Sequence, residues 1–250
     1  MDCIDLNCDM GEGLTTDALI MPFISSANIA CGFHAGDEDS MKRTVELALQ
    51  QHVAIGAHPG FEDKQNFGRT EMQLPLQQVY ELVSHQIEKL QKVCASFHTY
   101  LHHVKPHGAL YNMATKDAAL ANIIAKAVND IDSRLIVYGL SGSFLLSESS
   151  LIHLNTASEV FADRHYEEDG SLVSRNQSNA LIEKEEQSIQ QVLQMIRHQS
   201  VISSSGQLIP IVAETICLHG DGKQAVQLAQ KINQSLQQNG ITVQSIQPIE

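Results

Sequence analysis

The sequence predicts an α/β fold, a (β/α) barrel that covers residues 1–250 as a single domain. Short apolar runs alternate with longer segments of helical periodicity, which is typical of parallel strands joined by crossover helices. Four of the apolar runs are followed by a histidine with a glycine within two residues, at His34, His58, His107 and His219. A barrel gathers the ends of all its strands in one ring, whereas an open sheet concentrates its ligand groups at one switch point. We therefore predict a barrel with one shared site at the strand ends.

The pattern predicts seven or eight strands, with helices between most of them. The candidate strands cover residues 4–7, 28–31, 53–57, 101–105, 135–139, 159–162, 210–218 and 241–246. The candidate helices cover residues 38–51, 75–93, 116–129, 183–197 and 222–238. Asp37 is a candidate N-cap for the first helix, and Pro75 suits the first turn of the second. Apolar residues recur at helical spacing from residue 76 to residue 90, so the second helix has one face for the core.

The bulk composition excludes several classes of function. Lys and Arg total 16 against 29 Asp and Glu, and a net charge of −13 argues against nucleic-acid binding, which needs a basic surface. The chain has no run of about 18 apolar residues and no signal-peptide pattern at its N-terminus, so we expect no membrane association. The five cysteines form no CxxC pair, which favours reduced thiols and a cytoplasmic protein.

A turn that follows the first strand carries two carboxylates. Asn7, Asp9 and Glu12 reach this turn, and Gly11 and Gly13 allow it unusual backbone angles. Asp9 or Glu12 could act as a general base or bind a metal, although either could simply cap the next segment. We treat both carboxylates as candidate catalytic residues and Asn7 as a candidate substrate-binding residue.

His34 lies on the turn before the first long helix and is a candidate catalytic residue. The N-terminus of that helix faces the strand ends, where free backbone N–H groups could bind an anion. Asp37 is better explained as the cap of this helix than as a catalytic group. Cys31 could be a nucleophile, but a cysteine inside an apolar run is more often a small buried hydrophobic residue.

The next two strand ends carry further catalytic candidates, His58 and His107. Arg69, in a long loop after His58, offers a planar fork for a carboxylate or a phosphoryl group, or forms a surface ion pair. Lys105 could polarise a carbonyl or neutralise an anion, and Tyr111 could transfer a proton. We assign Arg69, Lys105 and Tyr111 to substrate binding.

Arg164, His219 and Asp221 complete the predicted substrate-binding set, since each follows a late apolar run. The sequence contains no P-loop motif and no HExxH zinc helix. The four histidines at the strand ends, together with Asp9 and Glu12, could still converge on a metal ion. The pattern does not distinguish such a site from a metal-free acid/base site.

Six segments together resemble the LamB/YcsF family. They are Asp5-Leu-Asn-Cys-Asp-Met-Gly-Glu-Gly13 and residues 26–37, 55–69, 104–112, 159–175 and 216–221, which span nearly the whole chain. Each segment is a weak signal, but six in the order of the family are specific. Thr70 departs from the family pattern, in which a second arginine would follow Arg69.

The resemblance implies a seven-stranded barrel similar to glycoside hydrolases and polysaccharide deacetylases. It also implies ATP-dependent hydrolysis of the lactam 5-oxo-L-proline to L-glutamate, with Mg²⁺ accompanying the nucleotide and subunits B and C of a 5-oxoprolinase as partners. In this hypothesis Lys105 and Arg69 balance the negative charge of the substrate or of its phosphorylated form. Asp9 or Glu12, with the first three histidines, moves protons during water attack and ring opening.

Two other functions fit the same residues. A metal-dependent deacetylase or amidohydrolase would use the carboxylates and histidines without ATP. A non-catalytic subunit would hold the substrate while its partners perform the chemistry. The sequence leaves open which subunit binds ATP, whether a transition metal is bound, and whether the chain forms a homo-oligomer.

Overall fold

A computed structural model describes residues 3–220, 222 and 224–247, and in it seven parallel strands close into a barrel. The strands in chain order are β1 (Cys3–Met10), β2 (Ser26–Ala30), β3 (Ala54–His58), β4 (His103–Val104), β5 (Ile136–Leu140), β6 (Thr156–Phe161), β7 (Ser200–Ile202), β8 (Leu208–Pro210), β9 (Thr215–Leu218) and β10 (Thr242–Val243). The α-helices are α1 (Asp17–Ile20), α2 (Glu38–Gln50), α3 (Leu76–Ser96), α4 (Gly108–Lys116), α5 (Ala118–Ile131), α6 (Phe144–Leu151), α7 (Glu185–His198) and α8 (Ala225–Gln238).

The barrel closes because β9 pairs with both β6 and β1. Asn7 of β1 is in register with Ser26 of β2 on one side and with Cys217 of β9 on the other. β10 pairs in parallel with Cys3 and Ile4 at the start of β1, and β7 and β8 form a separate antiparallel hairpin. The predicted seven-stranded (β/α) barrel is therefore confirmed. Because all its strands run parallel, their carboxyl ends lie at one rim.

The interior of the barrel is polar. Side chains alternate between the two faces of a strand, so in β1 Asp5, Asn7 and Asp9 share one face. Asn7 Nδ2 donates to Glu159 on β6 and to Thr215 on β9, which places this face toward the barrel axis. The alternate residues of β1, which include Leu6 and Met10, are fully buried in the hydrophobic core.

Local signals account for the best-predicted helices. Asp37 caps α2, because its Oδ1 accepts from Ser40 N at 2.8 Å while Ser40 Oγ accepts from Asp37 N at 2.8 Å. This reciprocal capping box confirms the predicted helix start. Pro75, by contrast, is the residue that precedes α3, and its extended backbone ends the preceding loop.

One predicted strand is wrong, and several elements were not predicted. Residues 210–218 do not form one strand: β8 ends at Pro210 and β9 begins at Thr215. In the segment between them, Val212 N donates to Ser141 Oγ, and the Glu214 carboxylate accepts from Ser158 N of β6. Side chains therefore take part in hydrogen bonds that a continuous strand would make between backbone groups. The elements that were not predicted include α1, α4, α6 and β7. Helix α4 follows His107 directly, and α6 has three serines in eight residues and no clear apolar stripe.

Among the helices of the described residues, none combines the length and the apolar character needed to cross a membrane.

We expect Gly56→Ala to destabilise the barrel. A Cβ at this position would lie 2.1 Å from His103 Nε2. His103 has little room to move, since its ring stacks on Tyr138 at 4.1 Å and its Nε2 lies 2.8 Å from Asn28 Oδ1. Overpacking of this kind costs about 1–3 kcal/mol, and more where neighbours cannot shift. Urea denaturation of the variant measures this loss in the free energy of unfolding.

Gly220→Ala is the control, because its Cβ would meet no atom closer than 3.6 Å. We expect its free energy of unfolding to stay within about 0.5 kcal/mol of the wild type. Equal stability of Gly56→Ala and the wild type would contradict the packing of His103 against β3.

Candidate functional site

A cavity of about 560 Å³ opens at the carboxyl ends of the barrel strands. Asp9 reaches it near the end of β1, His58 from the end of β3, and Lys105 and His107 from the segment after β4. His219 follows the end of β9 and also lines the cavity. The shared site predicted from the strand ends is thus a single pocket, because parallel strands deliver their following residues to the same rim.

Lys105 lies at the base of this cavity, with only 3% of its side chain exposed. Its Nζ lies 3.0 Å from Asp9 Oδ1, 2.8 Å from Glu159 Oε1 and 3.1 Å from Cys217 Sγ. Burial works against the ammonium, but Asp9 and Glu159, with Cys217, together outweigh it, so the pKa of Lys105 lies well above its usual range. Lys105 is therefore a fixed positive charge between two buried carboxylates.

Two asparagines orient these charged groups from inside the barrel. Asn7 Nδ2 donates to Glu159 Oε1 at 2.9 Å, and Asn7 Oδ1 accepts from Asn28 Nδ2 at 2.8 Å. Asn28 Nδ2 also donates to Asp9 Oδ1 at 2.8 Å. Asn7 is fully buried and does not line the cavity, so in this structure it positions its neighbours.

Glu12, His34, His58 and His107 form a compact group, which we call the histidine cluster. One ligand-capable atom from each of the four lies within 4.8 Å of the others. Glu12 Oε1 is 3.3 Å from His34 Nε2 and 3.5 Å from His107 Nδ1, and His107 Nδ1 is 2.8 Å from His58 Nε2. The rings of His34 and His107 stack, with centroids 3.7 Å apart. His34 is buried behind the group and does not line the cavity.

The groups around Asp9 keep its carboxylate ionised. Burial disfavours the charged form of Asp9, but His58, 3.3 Å away, and Lys105 outweigh it and hold the pKa of Asp9 well below its usual range. Burial lowers the pKa of His34 to about 3. Burial and then the neighbouring His58 lower the pKa of His107. Asp9 is consequently an ionised carboxylate, and His34 and His107 of the histidine cluster resist protonation.

The loop after β3 builds one wall of the cavity. Phe67 adopts a left-handed backbone, with φ of 57°, and Gly68 follows with φ of 65°. This turn places the Phe67 carbonyl 2.8 Å from His107 Nε2 and sets the Arg69 guanidinium 5.0 Å from the centre of the Phe67 ring. Arg69 lines the cavity, and a cation–π contact with the Phe67 ring helps to hold its guanidinium in place.

Arg164 and Arg175 line the opposite side of the cavity. The Arg164 guanidinium donates to the carbonyls of Val173 and Ala180, so it also supports the loop that carries Arg175. Burial and the adjacent Arg175 lower the pKa of Arg164 to about 10, which still leaves it positively charged at neutral pH. With Arg69 and Lys116, these residues surround the cavity with positive charge in a chain whose net charge is −13.

The remaining predicted residues occupy different parts of the site. Tyr111 OH donates to Glu159 Oε2 at 2.7 Å, and burial raises the pKa of Tyr111 well above its usual range. His219 Nδ1 lies 2.9 Å from the Asp163 carboxylate, and its ring stacks on Phe161. Asp221 lies outside the described residues.

Two further residues of the site were not predicted from the sequence. Glu159 is fully buried and joins Asn7, Lys105 and Tyr111. An acidic residue inside the apolar run of β6 is itself a signal, because glutamate is rarely buried without a partner. Cys217 contacts Lys105, yet burial raises the pKa of its thiol well above the usual range, so the thiol stays protonated. No sequence signal separates this cysteine from an ordinary core residue.

Two groups of side chains could hold a metal ion within the part of the chain that the structure describes. One is the histidine cluster, and the other consists of Asp9, Cys217 and His219. Imidazole and carboxylate donors suit divalent first-row transition metals. The same groups could instead transfer protons, since Asp9 and His58 are close enough to exchange one with a bound water or substrate.

Comparisons with known proteins give consistent results. The model of the LamB/YcsF family matches residues 4–250. The chain is 50% identical to a protein of Tolumonas auensis that is named as the A subunit of 5-oxoprolinase, over 97% of this chain and 99% of the relative. It also resembles the crystal structure of a lactam utilization protein from Thermus thermophilus, with a TM-score of 0.92, 36% identity and coverage of 98% and 100% of the two chains.

A family 4 carbohydrate esterase from Streptomyces lividans is similar in fold, with a TM-score of 0.52 and 13% identity over 99% of this chain and 94% of the esterase. At that identity the likeness concerns the fold, and it agrees with the predicted similarity to the deacetylase type of barrel.

Replacing Lys105 by methionine is expected to lower the free energy of unfolding by about 3–5 kcal/mol, because it leaves the Asp9 and Glu159 carboxylates buried without their cation. Lys116→Met is the matched control, because Lys116 is 62% exposed and its pair with Asp169 contributes at most about 1 kcal/mol. Chemical denaturation of both variants measures the difference. A Lys105→Met protein as stable as the control would show that the buried ammonium does not hold the barrel interior together.

Proposed function

Because the chain belongs to the LamB/YcsF family, we propose that it is the A subunit of a 5-oxoprolinase, which hydrolyses the lactam of 5-oxo-L-proline to L-glutamate. The observation that carries the proposal is the 50% identity to the A subunit of a 5-oxoprolinase over nearly the full length of both chains. The name of the Thermus thermophilus neighbour, a lactam utilization protein, agrees with it.

The charge distribution of the cavity suits this substrate. The lactam carries one carboxylate, and three guanidinium groups line the cavity: the buried Arg164 and the more exposed Arg69 and Arg175. Guanidinium groups bind carboxylates and phosphoryl groups through paired, charge-assisted hydrogen bonds. We place the substrate carboxylate at this cationic rim and the lactam carbonyl near the base of the cavity, where Asp9, His58 and Lys105 lie.

Ring opening needs a base for the attacking water and an acid for the leaving nitrogen. Asp9 is ionised and lies 3.3 Å from His58 Nε2, while Glu12 lies beside His107 and also lines the cavity. In the proposed mechanism one of these carboxylates removes a proton from water as its oxygen bonds to the carbonyl carbon. The C–N bond then breaks, and the proton taken from water passes through an imidazole of the histidine cluster to the leaving nitrogen. Lys105 stabilises negative charge that develops beside it.

We further propose that ATP, accompanied by Mg²⁺, is a co-substrate. An unstrained five-membered lactam resists hydrolysis. Transfer of the γ-phosphoryl group from ATP to the lactam oxygen releases ADP and makes the ring carbon more electrophilic. Water then adds to that carbon and the C–N bond breaks, which leaves an acyl phosphate that a second water hydrolyses to L-glutamate and phosphate. The cationic rim supports this step, because it could hold a phosphorylated intermediate as well as a carboxylate. The described residues contain no P-loop, so we assign part of the nucleotide site to partner subunits B and C.

The reaction is proposed to take place in the cytoplasm. The five cysteines are all free, and four of them are buried at positions that do not pair. Free thiols of this kind are typical of a reducing compartment.

We expect glutamate release from 5-oxo-L-proline when the chain is combined with subunits B and C and ATP, and none without ATP. Asp9→Asn keeps the size of the side chain but removes its basicity, so it should lower kcat by about 10²–10⁴-fold. His85→Asn, on the exposed face of α3, is the control and should turn over at the wild-type rate. Glutamate is measured by a coupled assay, and a thermal melt checks that each variant is folded.

Absence of glutamate from the complete wild-type mixture, with subunits B and C known to be active, would overturn the proposed function. Wild-type turnover by a folded Asp9→Asn variant would leave the function standing and remove Asp9 from the chemistry. Hydrolysis of acetylated sugars or other amides without ATP would instead favour a deacetylase or amidohydrolase.

Arg69→Gln tests the cationic rim. A hydrogen bond to a charged group contributes about 1.5–3 kcal/mol, so we expect the KM for 5-oxo-L-proline to rise by roughly 10-fold to 100-fold with a smaller change in kcat. Arg134→Gln is the control, because Arg134 is 84% exposed and pairs with Asp132 on the surface. An unchanged KM in Arg69→Gln would move the substrate carboxylate away from this part of the rim.

A further inference from the structure

We propose that the histidine cluster binds one divalent first-row transition-metal ion, with His58 Nε2, His107 Nδ1 and Glu12 Oε1 as ligands. Glu12, His58 and His107 line the cavity, so the ion would face the space where a substrate binds. This inference rests on the arrangement of the four side chains and does not depend on the identity of the substrate.

The hydrogen bonds outside the cluster determine which ring nitrogens carry protons. His58 Nδ1 lies 2.7 Å from the Lys105 carbonyl, and His107 Nε2 lies 2.8 Å from the Phe67 carbonyl. A carbonyl oxygen only accepts, so each of these nitrogens carries a hydrogen and donates it outward. In a neutral imidazole the other nitrogen then presents a lone pair. The lone pairs of His58 Nε2 and His107 Nδ1 therefore face each other.

These two nitrogens are 2.8 Å apart, and carboxylates surround them. Asp9 Oδ2 lies 3.3 Å from His58 Nε2, and Glu12 Oε1 lies 3.5 Å from His107 Nδ1. Carboxylate oxygens of Asp9 and Glu12 thus lie next to the two facing imidazole nitrogens. Such a set of donor atoms attracts a cation, and a metal ion bonds several of them at once whereas a shared proton joins only two.

The spacing of the donor atoms also fits a metal. Ligand atoms on a tetrahedral zinc ion lie about 3.4 Å apart, given bonds of about 2.0–2.1 Å. Glu12 Oε1 is 3.5 Å from His107 Nδ1, and the 2.8 Å between His58 Nε2 and His107 Nδ1 needs only a small separation of the rings. The backbone carbonyls that hold His58 and His107 are the outer partners that metal-binding histidines commonly have.

The second metal-capable group is disfavoured by the charge already beside it. In the group formed by Asp9, Cys217 and His219, Lys105 Nζ contacts both Asp9 Oδ1 and Cys217 Sγ. The ammonium supplies the positive charge that a metal would bring, and the two cations would repel each other at this distance. In the histidine cluster, by contrast, the facing nitrogens of His58 and His107 lie next to carboxylate oxygens, which attract a cation.

A bound ion of this class would act as a Lewis acid toward a substrate oxygen or lower the pKa of a bound water.

Cobalt(II) titration of the full-length, chelator-treated chain tests the proposal without partners or substrate. We expect one equivalent of Co²⁺ to produce an intense visible absorption band, which aqueous Co²⁺ lacks, and one equivalent of Zn²⁺ to abolish it. His58→Asn and His107→Asn should each weaken binding by at least about 10-fold to 100-fold, the loss seen when even an outer partner of a ligand is removed. His85→Asn, which also removes one histidine but lies outside the cluster, should bind like the wild type.

Three outcomes would overturn the proposal. The first is the absence of the band in folded wild-type protein at millimolar Co²⁺, which would mean that a proton and not a metal ion lies between His58 and His107. The second is wild-type affinity in folded His58→Asn and His107→Asn variants, with far-UV circular dichroism as the check on folding. The third is a cobalt–thiolate absorption that disappears in Cys217→Ser, which would assign the ion to the group beside Lys105. Since the readout is absorption by the isolated chain, failure here is distinguishable from failure of the proposed lactam hydrolysis.

Discussion

Lys105 buries its ammonium between the carboxylates of Asp9 and Glu159, and this contact constrains both the barrel interior and the site above it. Seven parallel strands can enclose polar side chains only when each charge and hydrogen-bonding group has a partner, because an unpaired buried charge costs several kcal/mol. Asn7 and Asn28 complete the arrangement by bonding the same carboxylates. The base of the cavity is therefore rigid and electrostatically defined.

The same lysine also links the barrel interior to the histidine cluster. Its side chain neutralises Asp9, while its backbone carbonyl accepts from His58 Nδ1 at 2.7 Å. Asp9 in turn uses one carboxylate oxygen for Lys105 and the other for His58. One short segment after β4 thus sets the charge of the carboxylate and the orientation of the imidazole beside it. Such coupling is how a site holds groups in place for proton transfer or metal binding.

The cavity separates two tasks in space. Its buried part carries the paired charges and the imidazoles, whereas Arg69 and Arg175 are the more exposed guanidinium groups of its lining. An anionic ligand would meet positive charge first and the reactive groups second, although the chain as a whole has a net charge of −13. This arrangement agrees with a small carboxylated substrate, for which steering must come from a local cationic rim.

The sequence by itself determined the barrel, the strand ends that form the site and the cap at Asp37, because periodicity and capping are local properties of the chain. It also identified His58, His107 and Lys105, since each follows an apolar run beside a glycine or proline. Only the tertiary structure decided that Glu159 partners Lys105 and that Asn7 and His34 lie behind the cavity. Those facts depend on how distant strands are registered around the barrel, and that register is set by closure of β9 onto β1.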